Sequence, residues 1–468
     1  MTDLLHFFFY QPISADPKYA AEFGISSPFT VEQIMQEVHA NPAAITKYRI
    51  SSVGELLHAF KNICAFQNES AQGCSGFGFQ WNLTTTLAPI VTYVIILMMI
   101  RYAMQEPLAR FGIYMGVVTE NKKKHAEREA RGLYGSLALS RRNQKKILKF
   151  QNQLWLCIFY ILSTYFGYYV QKDKPWFTLP LNTESALHLL LPHPWTPPQE
   201  MVVYYYYGLA FYLSELFSLI FIEHRIKRSD FIEYCVHHVT TLLLMICSYI
   251  GWEHRFGAYV LFIHDASDIM LSLAKCTHYM IEENEFRETL FNKHSLQRYH
   301  AKQKRGASPS RKAHANNDKK DDDTVLRYKS SFLFQYILVE NTANVMFAIF
   351  IVVFFFFRLY CLPLMAHSTI LFASKVRHGN FNMWMLVALL NGCLQLLHVY
   401  WAVLIVRMVI SVFVDNQRKD IRSDDDDDTN EQPDGTDHPW VEPEVVPARV
   451  LEDLLHAKEE TSPEKKKK

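Results

Sequence analysis

Four stretches of this chain, Trp81–Ile100, Gln151–Gln171, Tyr234–Trp252 and Asn382–Val406, run without a single Lys, Arg, Asp or Glu. A helix needs ~20 mostly apolar residues to cross the hydrocarbon layer of a bilayer, so each is long enough to span one. Met201–Ile222 is interrupted only by Glu215, and Ser331–Phe357 only by Glu340. Phe256–Tyr279 is equally long, yet it carries His264, Asp265, Asp268, Lys275 and His278. The expectation is an all-α integral membrane protein with seven transmembrane helices.

Basic residues are retained on the cytoplasmic side of a membrane, which orients the spans. Lys plus Arg number 12 in residues 101–150, three in 223–233 and 12 in 280–330, against two in 172–200, one in 253–255 and three in 358–377. The alternation places residues 1–80 in the lumen and the C-terminus in the cytosol. The sequons at Asn68 and Asn82 are candidate glycosylation sites on that lumenal side. Cys64 and Cys74 lie outside the spans, where a lumenal disulfide is the alternative to two free thiols. Cys157, Cys235, Cys247, Cys276 and Cys393 fall in apolar stretches and read as small hydrophobes.

The expected organisation is a lumenal segment over 1–80, a first span over 81–103, a cytosolic linker over 104–139 and a membrane domain over 140–415. Residues 282–328 of that domain read as a disordered cytosolic insert, being rich in Lys, Ser, Asn and Asp. Residues 416–468 read as a disordered cytosolic tail with an acidic run at Asp424–Asp428. A net charge of +1 gives no electrostatic reason for a nucleic-acid partner. The 33 Phe and 25 Tyr read most simply as lipid-facing or interfacial residues.

Ionisable side chains inside a bilayer are costly unless paired or wetted, so they mark sites. His237 and His238 sit near the start of the fourth span, Asp265 and Asp268 near the middle of the fifth. A spacing of three turns both carboxylates to one side of their helix, where a neighbouring helix can present the histidines. Imidazole beside carboxylate can act as general base, as nucleophile toward an activated acyl group, or as metal ligand. Two His and two Asp suit zinc or iron, although adjacent helical histidines point ~100° apart. Gln395, His398 and Trp401 of the last span, spaced three apart, line the same cavity or pack. Glu215 and Glu340 each read as partners in helix–helix hydrogen bonds.

These residues stand in a pattern that resembles the ceramide synthases of the TLC membrane family. The long motif of those enzymes matches Phe211–Tyr279, with Lys227-Arg228-Ser229-Asp230 before the span, the His pair, and His-Asp-x-x-Asp after it. Ser140-Arg-Arg-Asn-Gln144, Asn391-Gly392, Leu394-Gln-Leu-Leu-His398 and Asp420-Ile-Arg-Ser-Asp424 extend the likeness over about residues 140–425. The resemblance implies six spans, the second to the seventh, forming a helical barrel around a central cavity with the first span outside it. It implies an acyl-CoA-dependent N-acyltransferase that moves a fatty acyl chain to the amine of a sphingoid base. The product is ceramide or dihydroceramide, and no cofactor is needed beyond acyl-CoA as co-substrate.

The catalytic set implied is His237, His238, Asp265 and Asp268, with His237 the preferred nucleophile of an acyl-imidazole intermediate. Arg225, Lys227 and Arg228 are candidates to attract the CoA phosphates, and Gln395, His398 and Trp401 to line the substrate site. The connection that tunes acyl length in the family corresponds here to roughly Leu359–Phe381. The terminal Lys465–Lys468 resembles a dilysine retrieval signal, in keeping with the endoplasmic reticulum. Membrane lipids are expected partners, and a homo- or hetero-dimer is compatible with the family. The alternative reading is a non-enzymatic TLC relative, associated with a translocon or sensing lipid.

Overall fold

The computed structural model of the protein describes residues 29–58, 87–119, 122–193, 195–221, 231–250, 253–306, 324–327, 340–376, 381–415 and 444–447, with scattered positions between 449 and 456. Among the described residues, seven long helices carry the fold. They are α1 (Ala88–Tyr114), α2 (Arg141–Gln171), α3 (Gln199–Phe221), α4 (Phe231–Ile250), α5 (His254–Gly306), α6 in three consecutive segments (Glu340–Phe354, Phe355–Cys361 and Leu362–Val376), and α7 (Phe381–Asp415). Among the described residues, five stretches are long and apolar enough to cross a membrane: Ala88–Tyr114, Phe231–Tyr249, His254–Glu285, Thr342–Ala373 and Leu386–Ile410. The chain is a multi-pass membrane protein. The other two expected spans fall within α2 and α3, helices of 31 and 23 residues whose sequences are more polar.

Local sequence explains where several helices start and bend. The Ser140 hydroxyl accepts from the Asn143 amide and caps α2, satisfying one of the orphan amides of a first turn. Inside α6, Phe355–Cys361 forms wide π-type turns just ahead of Pro363. Proline has no N–H and its ring crowds the carbonyl four residues back, so widening the preceding turn lets the helix continue instead of breaking. This corrects the expected connection at Leu359–Phe381: that stretch is helical through Val376, and residues 377–380 lie outside the described residues.

The bundle is held by aromatic packing and by a few buried polar ties. Tyr204, Tyr205, Tyr206, Phe211 and Tyr212 of α3 are buried, so the expectation that the aromatics mostly face lipid is corrected for this helix. They pack on Phe159 and Tyr160 of α2 and on Tyr249 of α4. A side chain at Gly208 would meet Leu261 of α5 and Met245 of α4 at 2.8 and 3.1 Å, so the glycine sets how closely α3 approaches both. Arg101 of α1 pairs with Glu215 of α3 at 2.5 Å, and the Trp155 indole of α2 donates to the same carboxylate at 3.1 Å. Glu215 is thus the helix–helix tie expected of it, and it fastens α1 to the bundle.

α5 is the most buried of the five apolar stretches and runs on for 53 residues, roughly 80 Å at 1.5 Å per residue. It continues as helix to Gly306, deep into the segment expected to be a disordered insert. The physical reason is packing: Ile281, Glu283, Arg287 and Asn292 are buried, against the exit of α1 and the start of α2. Arg287 donates to the carbonyls of Gly116 and Val118 and to the Thr119 hydroxyl, and Lys146 pairs with Glu283 at 2.6 Å. Further on, β1 (Thr324–Arg327) pairs antiparallel with β2 (Glu444–Pro447), so part of the expected disordered tail returns to the insert. Glu452 lies 3.5 Å from His300 on the same extension.

At the other end of the bundle, a helix over Val31–Ala40 and the turns that follow dock on Thr183–Leu190 and on the end of α6. The Ile50 amide donates to the Leu371 carbonyl at 2.9 Å, and Lys375 pairs with Glu55 at 2.8 Å. Both Lys375 and the backbone of Ser51 donate to Glu55, holding its carboxyl below the usual range. Arg255 at the start of α5 closes this end from inside. Its guanidinium donates to the carbonyls of His188, Leu191 and Pro192 and lies over the rings of Trp176 and Trp195.

Candidate active site

α4 delivers the histidine pair. His237 and His238 are both buried, with ring centroids 5.6 Å apart and planes at 71°, as adjacent helical positions require. Tyr234, one turn earlier, lies 4.4 Å from His238, and Tyr212 of α3 lies 6.1 Å from it. His237 turns the other way, toward α7, with its ring 5.1 Å from Trp401 and 6.5 Å from His398. The Nδ1 atom of His237 is buried without a hydrogen-bond partner.

α5 delivers the carboxylates, and the structure separates their roles. Asp265 is held from α2 and α3: Ser163 donates to Oδ2 at 2.5 Å and Tyr212 to Oδ1 at 2.7 Å. Asp268 is held from α6, where Arg358 pairs with its Oδ1 at 2.6 Å. The expected set is therefore brought to one region, but through intermediaries. Tyr212 stands between Asp265 and His238, and Arg358 with His398 stands between Asp268 and His237.

Arg358 was expected to begin a lumenal connection. The widened helix keeps it inside instead, 4 % exposed, which matters because a buried guanidinium needs an anion and acceptors around it. It has them in Asp268, the Ser267 hydroxyl at 2.7 Å and the His264 carbonyl at 3.3 Å. Its Nη1 also lies 3.3 Å from His398 Nε2. The only advance signal was a lone cation closing the run Phe354–Phe357, which reads equally well as the end of a span. Ser163, Tyr212 and Ser267 gave no signal at all, since a hydroxyl in an apolar helix is ordinary.

One hydrogen bond fixes a tautomer. His264 Nδ1 lies 2.7 Å from the Val260 carbonyl, which only accepts, so Nδ1 carries the proton. Its Nε2 is then a lone pair, 3.2 Å from His398 Nε2, and calls for a donor there, whereas Arg358, which only donates, calls for an acceptor at the same atom. His398 Nε2 thus stands between two opposed demands, and its Nδ1 is buried and without a partner. The site offers two imidazoles, His237 and His398, whose Nδ1 atoms are uncommitted. A guanidinium against His398 suits proton handling and opposes a cation, and among the described residues no group of three or more His, Cys, Asp or Glu is placed to hold a metal ion.

Gln395 and Trp401 share the face of α7 that bears His398, as the spacing of three suggested. Arg225, Lys227, Arg228, Asn68, Asn82, Cys64 and Cys74 lie outside the described residues.

A buried site of paired histidines, carboxylates and one arginine inside a helical membrane bundle defines a membrane-embedded protein built for proton or acyl chemistry. The TLC domain family matches residues 149–296 and 327–407, which take in every residue of the site just described, and the chain belongs to that family. It is similar to ceramide synthase 3 of Homo sapiens, 26 % identical over 367 residues that cover 72 % of this chain and 79 % of that protein. It is similar also to ceramide synthase 1 LOH3 of Arabidopsis thaliana, 26 % identical over 294 residues covering 60 % and 75 %. Over a shorter stretch of 146 residues it is 34 % identical to ceramide synthase LOH1 of the same plant, 30 % of this chain and 44 % of that protein.

Proposed function

We propose that this chain is a ceramide synthase, joining the acyl group of an acyl-CoA to the amine of a sphingoid base. The observation that carries the reading is the placement of His237 against His398 and Trp401 inside a domain whose relatives carry that name. The lone pair of a His237 ring nitrogen adds to the thioester carbonyl, the C–S bond breaks, and the thiolate leaves with the electron pair and takes up a proton. The amine nitrogen then adds to the acyl carbon, the bond to His237 breaks with its electrons returning to the ring, and the amine proton passes to a neighbouring base. His398 Nδ1, buried near His237 and without a partner, is the base assigned to that proton. Asp268 balances Arg358, and Asp265 fixes Tyr212 beside His238.

Within this reading α1–α7 are seven spans, α2–α7 surround the substrate cavity, and α1 stands outside, tied on through Arg101. The N-terminus is lumenal and the C-terminus cytosolic, as the basic residues of the connections support, and the membrane is that of the endoplasmic reticulum. No cofactor takes part beyond acyl-CoA, whose phosphates Arg225, Lys227 and Arg228 attract. The partners are acyl-CoA, a sphingoid base and membrane lipids, and the assembly is a homo- or hetero-dimer.

The test is amide formation by purified full-length protein supplied with labelled acyl-CoA and sphinganine. Wild type is expected to make the amide, and folded His237→Ala is expected to make none and to carry no acyl group after exposure to acyl-CoA alone. Folded wild type that stays inactive from short to very long acyl-CoAs overturns the reading.

A further inference from the structure

The polar atoms of α7 that lack partners form a row. Asn391 Oδ1, Gln395 Oε1, His398 Nδ1 and Trp401 Nε1 are all buried and without a hydrogen bond. Steps of four, three and three residues hold them on one face of the helix, inside the apolar stretch Leu386–Ile410. Water is scarce there, and each unmet polar group costs ~1–3 kcal/mol. A row of four beside the reacting histidine is therefore a site waiting for hydrogen bonds that a ligand supplies.

The order of donors and acceptors along the row selects the ligand. Two amide oxygens accept, one indole N–H donates, and His398 Nδ1 does either according to its tautomer. An anionic or carbonyl head group, which only accepts, would be opposed at both amide oxygens. An amine flanked by hydroxyls meets Gln395, His398 and Trp401 together, since amines and hydroxyls both donate and accept. Gln395, His398 and Trp401 are spaced ~4.5 Å apart along the helix axis, at 1.5 Å per residue. That spacing suits a central amine with a hydroxyl on the neighbouring carbon at each side, reached through hydrogen bonds of ordinary length.

We infer that this face of α7 is the acyl-acceptor site and binds the amino-diol head of the sphingoid base in one direction. The amine sits at His398 Nδ1, the terminal hydroxyl accepts from the Trp401 indole, and the inner hydroxyl donates to Gln395 Oε1. The tail then runs past Asn391, away from His237's helix start. As the amine forms its bond to the acyl carbon, its proton passes to the Nδ1 lone pair and the leaving imidazole keeps the electrons of its broken bond. This inference rests on the proposed activity and adds the residues and the direction of acceptor binding.

The experiment compares sphinganine with its analogue lacking the terminal hydroxyl, using wild type, Trp401→Phe and Gln395→Met in lipid nanodiscs. Wild type is expected to favour sphinganine in KM, and Trp401→Phe to reduce that preference about tenfold, the scale of one hydrogen bond, with the KM for acyl-CoA unmoved. Gln395→Met is expected to raise the KM for both acceptors together, keeping the preference. A preference that Trp401→Phe leaves intact, or a change that falls on acyl-CoA instead, overturns the proposal. If no amide forms at all, binding of labelled sphinganine without acyl-CoA separates the two claims. Binding that Trp401→Phe weakens about tenfold upholds the site while the activity fails, and wild type that binds none overturns the site as well.

Discussion

Arg358 of α6 and Asp268 of α5 are joined at 2.6 Å inside the bundle, and the same guanidinium reaches His398 of α7 at 3.3 Å. One buried cation therefore ties three helices at the point where the histidines gather. Removing one member of a buried pair typically costs ~3–5 kcal/mol, because the survivor is left charged and unmet. Asp268→Ala and Arg358→Ala are each expected to lower the unfolding temperature sharply. The double variant Asp268→Leu with Arg358→Met is expected to recover much of that stability and none of the activity. Thermal unfolding of the purified protein, read beside amide formation, checks both halves.

The tautomer of His398 depends on His264. In wild type the ¹⁵N resonance of His398 Nδ1 is expected to be that of an unprotonated ring nitrogen. His264→Phe removes the acceptor beside His398 Nε2 and leaves the Arg358 N–H facing it, so the proton is expected to move to Nδ1. The expected result is a fall in kcat of about a hundredfold, the lower end of what general-base assistance contributes, with little change in the KM for acyl-CoA. An unchanged ¹⁵N spectrum in that variant would sink the assignment.

Glu215 holds α1 against α2 and α3 through Arg101 and Trp155, some distance in sequence from the histidines. Glu215→Ala is expected to destabilise the protein by ~3–5 kcal/mol, since it strands a buried arginine. A paired Arg101→Met, Glu215→Leu variant is expected to restore the unfolding temperature and keep amide formation near wild type. Loss of activity in that stable double variant would show that α1 takes part in the site.

The extension of α5 is clamped by Arg287 onto the carbonyls at the exit of α1, where Gly116 adopts a φ of 80°. Hydrogen exchange over residues 281–292 is expected to be slow in wild type and fast in Arg287→Ala, because the helix there loses its tie to the bundle. Gly116→Ala is expected to loosen the same region, as a left-handed backbone position penalises any Cβ and the guanidinium occupies the space it needs.

The apolar runs by themselves determined that this chain lives in a membrane, and the charged residues within them marked where to look. His237, His238, Asp265 and Asp268 were legible because an ionisable group in a span stands out against its neighbours. Glu215 was legible as a tie for the same reason. Only the tertiary structure decided who holds whom. Asp265 answers to Ser163 and Tyr212, from helices 102 and 53 residues away in sequence, and Asp268 answers to Arg358. Sequence alone put Arg358 in a connection, since hydropathy registers a charge but not the Pro363-driven widening that keeps the helix going past it. The extension of α5 was misread for a related reason: Glu283 and Arg287 look like solvated charges until Lys146 and the carbonyls of α1's exit are brought against them. Composition sets which residues are expensive to bury, and packing supplies the partners that make burial affordable in free energy, partners that lie far apart along the chain.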